Sequence, residues 1–253
     1  MKISIKSEKE IDLMRKSCRL AADILQAAVD FTKEGVTTDE INTLVHEMTL
    51  KNGAIPSPLN YHGFPKSVCT SINQVVTHGI PDNTILKSGD IINIDVTCTL
   101  NGYFGDTSRM VMIGDVEKDK KELVDVTYTS LIESISAVKA GGYFSDIGSV
   151  IHDIADDYGY GVVRDYCGHG IGRNFHEDPM VLHYRQSKRG ARLIEGMVFT
   201  IEPMINLGSH KTRVLKDKWT VVTQDGLPSA QFEHTIALTK NGTEILTTYP
   251  DKS

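Results

Sequence analysis

At 253 residues the chain is long enough to bury a sizeable core, as one large domain or as two fused halves. With 27 basic against 33 acidic residues, a formal charge of −6 and no long basic run, it lacks the electrostatic footprint of a protein whose substrate is nucleic acid. The opening MKISIKSEKE has no apolar signal core, no stretch approaches a membrane span, and Cys18, Cys69, Cys98 and Cys167 form no CxxC pair; a reduced, cytoplasmic chain without structural zinc is expected.

In chain order, Ile11, Met14, Cys18, Ala21, Ile24, Leu25 and Ala28 fall at helical spacing and predict a helix over 8–31, with Gly35 ending it. Thr38-Asp39-Glu40 reads as the N-cap region of a second helix running to Gly53. Strands are predicted over 67–72, 91–99 and 108–113, with Asn101-Gly102 as a hairpin turn. The plan then recurs: helices near 119–139 and 145–158, and strands near 162–166, 197–205, 219–223 and 231–239. This is an α+β pattern with antiparallel strands.

The recurrence extends to individual residues. At an offset of 106, Lys33, Gly35, Ile41, His46 and Gly53 match Lys139, Gly141, Ile147, His152 and Gly159. At an offset of 107, His62-Gly63 matches His169-Gly170, Gly89 matches Gly196, and Asp95 matches Glu202. Asp106 and Glu233 pair only after about twenty further residues in the second half. Two copies are too few for a solenoid. They fit one domain over 1–253 made of halves at about 8–113 and 117–240, packed around a pseudo-twofold axis where the matched acids meet.

Those acids carry the chemistry. Asp95 ends GDIINID and Glu202 ends GMVFTIE, both apolar runs in which a carboxylate must be paired, protonated or bound to a cation. Asn93, Asp95 and Thr97 share one strand face and Ile92, Ile94 and Val96 the other. A hairpin brings Asp106 beside Asp95. Pro203, directly after Glu202, implies an edge or bulge. His169 lies in GHGIG, whose glycines let the backbone pass close to a ligand or metal. Four carboxylates and one imidazole suit two ions of Mn, Fe, Co or Zn, and hydrolysis is the reaction class that such a centre supports. HExxH, GxSxG and Walker motifs are missing, and no GxGxxG opens a helix after a strand. His78 in VVTHGIP and His176 in RNFHEDP sit on short polar turns suited to general acid/base or oxyanion work. A satisfied surface histidine is the alternative for each.

Taken together, NYHGFPKSVCTSINQVVTHGIP, GDIINIDVT, GYFGDTSRM, YCGHGIGRNFHEDP, GMVFTIEPM and QFEHTIALT resemble the type I methionine aminopeptidases of the pita-bread fold, over nearly the whole chain. The resemblance implies metal ligands Asp95, Asp106, His169, Glu202 and Glu233, with Asp106 and Glu233 bridging two divalent ions. It makes Glu202 also the general base, places His78 near the scissile nitrogen and sets His176 on the peptide carbonyl. It implies a methionine pocket of Tyr61, Phe64, Cys69, Phe175 and Trp219, with His62 nearby, and a monovalent cation (Na or K) on main-chain oxygens of Asn73, Val75 and Ser229. The implied activity is removal of the initiator methionine from nascent chains at the ribosome, with small second residues preferred, by a monomer. Pro58 and Phe64 depart from the cysteine and tyrosine common in bacterial relatives and touch the pocket rim. Two alternatives stand beside this reading: an X-Pro aminopeptidase or prolidase of the same fold, and a binding module that has lost catalysis.

Overall fold

The computed structural model describes residues 3–248; the first two residues of the opening segment and the last five of the single domain expected over 1–253 lie outside the described residues. Two helix pairs alternate with two sets of strands. Helices α1 (Glu8–Phe31) and α2 (Thr38–Lys51) precede strands β1 (Ile55–Pro56), β2 (Cys69–Ile72), β3 (Val75–Thr77), β4 (Ile91–Leu100) and β5 (Tyr103–Met112). Helices α3 (Lys118–Ser136) and α4 (Phe144–Asp157) precede β6 (Gly161–Val162), β7 (Gly168–Gly170), β8 (Glu177–Val181), β9 (Val198–Ile201) and β10 (Met204–Asn206). Then come β11 (Thr212–Val214), β12 (Val221–Thr223), β13 (Ser229–Gln231), β14 (Glu233–Thr239) and β15 (Gly242–Ile245). Among the described residues no helix is long and apolar enough to cross a membrane.

Local chemistry sets the helix starts. The cap of α2 is Thr37, one residue earlier than the Thr38 expected: Glu40 N donates to Thr37 Oγ1 at 3.2 Å, and Thr37 N donates to Glu40 Oε2 at 2.7 Å. At α1 the Glu10 carboxylate reaches back to the cap, with Ser7 N donating to Glu10 Oε2 at 3.0 Å and Ser7 Oγ at 2.9 Å. Each such pair satisfies backbone donors that have no partner inside the helix.

A nine-stranded sheet runs β1-β4-β5-β14-β9-β7-β8, with β2 added at β4 and β15 at β14. Two three-stranded sheets, β13-β10-β6 and β11-β12-β3, complete the strand set. The hairpin β4–β5 holds an unbroken register from Ile91↔Met112 to Leu100↔Tyr103. On β4, Ile92, Ile94 and Val96 enter a core shared with Ile24 and Leu25 of α1 and Ile41 and Val45 of α2. On the other half, Phe199, Ile201, Ile236 and Leu238 pack with Leu123 and Leu131 of α3 and Ile147 and Ile151 of α4. The helices thus take up one set of alternating positions, and the polar set is left for the site.

Three strand expectations are corrected. Strand β5 begins at Tyr103 rather than 108, so Asp106 lies inside the strand and not before it. The run 197–205 is two strands in two different sheets, parted at Glu202-Pro203, because Pro203 has no N–H to continue the ladder. The run 231–239 breaks likewise at Phe232, leaving Glu233 at the start of β14.

Candidate metal centre

Five neighbouring strands of the large sheet each contribute one group. Asp95 comes from β4, Asp106 from β5, Glu233 from β14, Glu202 from the residue after β9, and His169 from β7. Register explains the convergence. Ser108 pairs with both Asp95 and Glu233, so these two acids stand in one row on either side of β5. Asp106, two residues before Ser108, projects from the same face. His234 pairs with both Thr107 and Ile201, which sets Glu202 beside Glu233.

The ligand atoms of Asp106, His169 and Glu233 lie within 4.8 Å of one another. His169 Nε2 is 3.6 Å from Asp106 Oδ2 and 3.7 Å from Glu202 Oε1. Asp106 is 4% exposed and Glu233 2%. Burial, with mutual repulsion added for Asp95, Glu202 and Glu233, raises all four carboxyls above the usual range, Asp106 to about 7. Burial and the neighbouring His176 push His169 down to about 3, so its imidazole is neutral. Its Nδ1 lies 3.0 Å from Gly170 O; donation to that carbonyl places the proton on Nδ1 and leaves the Nε2 lone pair facing the acids. Among the described residues no lysine or arginine lines the cavity at these groups. The donors therefore fit divalent cations, which alone would let the acids ionise together.

Neighbouring residues fix these candidate groups. Thr97 Oγ1 donates to Asp106 Oδ1 at 2.6 Å, and Thr200 Oγ1 donates to Glu202 Oε1 at 2.8 Å while accepting from His169 N at 2.9 Å. Gln231 Nε2 donates to Glu202 Oε2 at 3.3 Å, and Glu202 N donates to His183 Nε2 at 3.2 Å. Sequence reasoning singled out none of Thr200, Gln231 and His183. Thr97 and Thr200 could have been found by alternation, each two residues from an acid. The glycines around His169 serve an approach between strands. A Cβ on Gly168 would come within 2.4 Å of Thr200 O, and one on Gly170 within 2.2 Å of Asp178 O. They let β7 fit between its neighbouring strands.

The five groups line one end of a cavity of about 340 Å³. Its wall brings together every expected pocket residue: Tyr61, His62, Phe64, Cys69, His78, Phe175, His176 and Trp219. Phe64 and Trp219 meet edge to face at 5.2 Å, and Tyr61 packs on Phe175 at 4.9 Å. Tyr61 Oη and His176 Nδ1 are 2.8 Å apart at the rim. Burial, with His176 nearby, lowers His78 to about 4. Asp165, Tyr166, Cys167 and Met204 also line the cavity and were not foreseen; Cys167 and Met204 each lie two residues from a proposed ligand. Away from the cavity, Asn73 and Ser229 meet through Ser229 N donating to Asn73 O at 2.9 Å. The side-chain oxygen of Asn73 accepts from Lys120 Nζ at 3.1 Å.

Residues 12–240 match the model of metallopeptidase family M24. The chain belongs to that family. A methionine aminopeptidase of Rickettsia prowazekii is 51% identical over 253 residues, 100% of this chain and 98% of that one. Its crystal structure superposes with a TM-score of 0.95, covering 98% of this chain and all of the other. A chloroplastic/mitochondrial methionine aminopeptidase of Arabidopsis thaliana is 53% identical over 97% of this chain and 70% of its own length. The prolidase of Pyrococcus horikoshii is more distant, at 26% identity and a TM-score of 0.76, and the match spans only 64% of that chain. The family fold, the pita-bread arrangement of a curled antiparallel sheet backed by four helices, is therefore this chain's fold. Within M24 its likeness is to the methionine aminopeptidases, and the prolidase alternative is not favoured.

Proposed function

We propose that the chain removes the initiator methionine from nascent polypeptides and favours small second residues. The observation that carries this reading is the acid-lined end of an otherwise largely aromatic cavity, in a chain half identical to methionine aminopeptidases. Asp95, Asp106, His169, Glu202 and Glu233 would hold two divalent ions (Co, Mn, Fe or Zn), which supply Lewis-acid polarisation of the scissile carbonyl and a more acidic water. The chain's own residues do the rest. Tyr61, Phe64, Cys69, Phe175 and Trp219, with His62 at the rim, receive an unbranched thioether through dispersion contact. The acidic end receives the free α-amine, which restricts cleavage to the first residue. Glu202 takes the proton from the attacking water, its carboxylate aimed by Thr200 and Gln231. With Tyr61 donating to His176 Nδ1, Nε2 carries the proton and donates to the carbonyl oxygen as negative charge develops there. His78, neutral in its buried setting, stands by the leaving nitrogen.

Main-chain oxygens of Asn73, Val75 and Ser229 form the proposed monovalent cation site, and the protein is read as a cytoplasmic monomer acting at the ribosome. The test is anaerobic reconstitution with Mn, Fe, Co and Zn in turn, followed by rates on Met-Ala-Ser and Met-Gly-Met. Methionine is released from both, and peptides starting with Leu or Lys are left intact. No release with any metal sinks the proposal.

A further inference from the structure

The loop between β7 and β8 works on two sides. Toward the cavity it presents Phe175 and His176. On its other side it closes around an ammonium group: Lys6 Nζ lies 2.7 Å from Glu177 Oε2, with the two side chains only 4% and 13% exposed. Among the described residues Lys6 is the only buried lysine or arginine. A buried ion pair contributes little net stability, because desolvation offsets the attraction. Its value lies in what it orients.

Here the pair sits at the junction of three segments. Lys6 N donates to Gly196 O at 2.7 Å, which anchors the N-terminal segment at the turn before β9. Glu177 Oε1 accepts from Asn174 N at 3.1 Å, Gly172 N donates to Asn174 O at 3.2 Å, and Phe104 N donates to Gly172 O at 3.0 Å. The lysine stem lies so close to Gly172 that a Cβ there would come within 2.7 Å of Lys6 Cε and 2.9 Å of Glu177 Oε1. Burial alone would raise the Glu177 carboxyl, but Lys6 and the loop amides outweigh it and hold the group below its usual range. At the inner edge of the same loop, Phe175 stacks on Phe104 at 5.4 Å, and the His176 ring lies 4.2 Å from that of His169.

We propose that Lys6 is a positioning residue for the reaction: through Glu177 it fixes the loop 172–177 so that His176 faces the substrate carbonyl. This rests on the reading of His176 as the group that hydrogen-bonds that carbonyl. Lys6→Met keeps the length of the side chain and removes the ammonium. Misplacement by about 1 Å at a reacting group costs on the order of a hundredfold in rate, so kcat on Met-Ala-Ser is expected to fall about ten- to a hundredfold. Mn uptake by calorimetry stays unchanged, because all five proposed ligands lie outside the loop. In the metal-free protein, hydrogen exchange at the Asn174 amide speeds up. Lys6 acts through His176, so the double variant Lys6→Met/His176→Ala is no slower than His176→Ala alone. Glu177→Gln repeats the test should Lys6→Met fail to fold. Wild-type kcat in Lys6→Met while His176→Ala is impaired, unchanged exchange at Asn174, or losses that multiply in the double variant each overturn the inference alone. Full activity in His176→Ala overturns the reading of His176 and the inference with it.

Discussion

Thr200 occupies the most heavily used position at residue scale, because one hydroxyl serves two proposed ligands. It donates to Glu202 Oε1 and accepts from His169 N. Thr200→Val keeps the shape but strands a buried amide, which costs about 1–3 kcal/mol; urea denaturation of the metal-free protein should show that loss, and Thr200→Ser should recover most of it. Asp106→Asn has the opposite effect on the metal-free fold. It removes a buried charge surrounded by like charges, so metal-free stability should hold or rise while calorimetry finds divalent uptake abolished. The acids themselves were legible in the sequence because a carboxylate in an apolar strand is an anomaly that demands a partner. Alternation puts Thr97 on the face of Asp95 and Thr200 on that of Glu202, but their hydrogen bonds to Asp106 and Glu202 were not legible, since threonine is ordinary in strands and only the pairing shows which one meets a carboxylate. His183 shows the same limit: its bond to the Glu202 amide crosses from a separate segment.

At the scale of elements, α1 was readable from apolar spacing, α2 from its capping chemistry, and α3 and α4 from the recurrence of the plan, with ends within a few residues. Strands were read less well. β5 was cut short because Gly105 and Asp106 look unlike strand residues, yet Gly105 is there to let α1 approach: a Cβ would come within 2.5 Å of Ser17 O and Cys18 N. Gly105→Ala should therefore destabilise the protein by about 1–3 kcal/mol through overpacking, measured by chemical denaturation, although alanine suits the backbone of a strand better. Strands β1, β3, β7, β8, β11 and β15 went unpredicted, because two to five residues carry too little pattern. Their pairing is decided by the strands beside them. β7 holds its place only because Gly168 and Gly170 leave no side chain to collide with Thr200 O or Asp178 O.

For the whole molecule, the sheet brings two buried and two half-buried carboxyls together, so stability and cation binding are linked. Chelation should lower Tm, and a divalent ion at about a hundred times its Kd should restore about 2.7 kcal/mol by mass action, seen as a concentration-dependent Tm. The sign of the pH dependence follows from the raised carboxyls. The folded metal-free protein binds protons that the unfolded chain has released, so their contribution is full below the ordinary carboxylate range. It is lost as pH rises, in the case of Asp106 from near 4 through about 7. Calorimetry in chelator across that range should show metal-free stability falling relative to Asp106→Asn, and a flat difference would contradict the linkage. The family motifs and the misplaced acids were enough to name the chemistry and the residues proposed for it, because both are local: a run of amino acids in order, and a charge where the surrounding chain is apolar. Convergence was not local. That five groups spread from 95 to 233 occupy consecutive strands, that Thr200 serves two of them, and that Lys6 reaches the loop of His176 are consequences of long-range register. Only packing of the whole sheet sets that register, since pairing one strand against another depends on every neighbour at once.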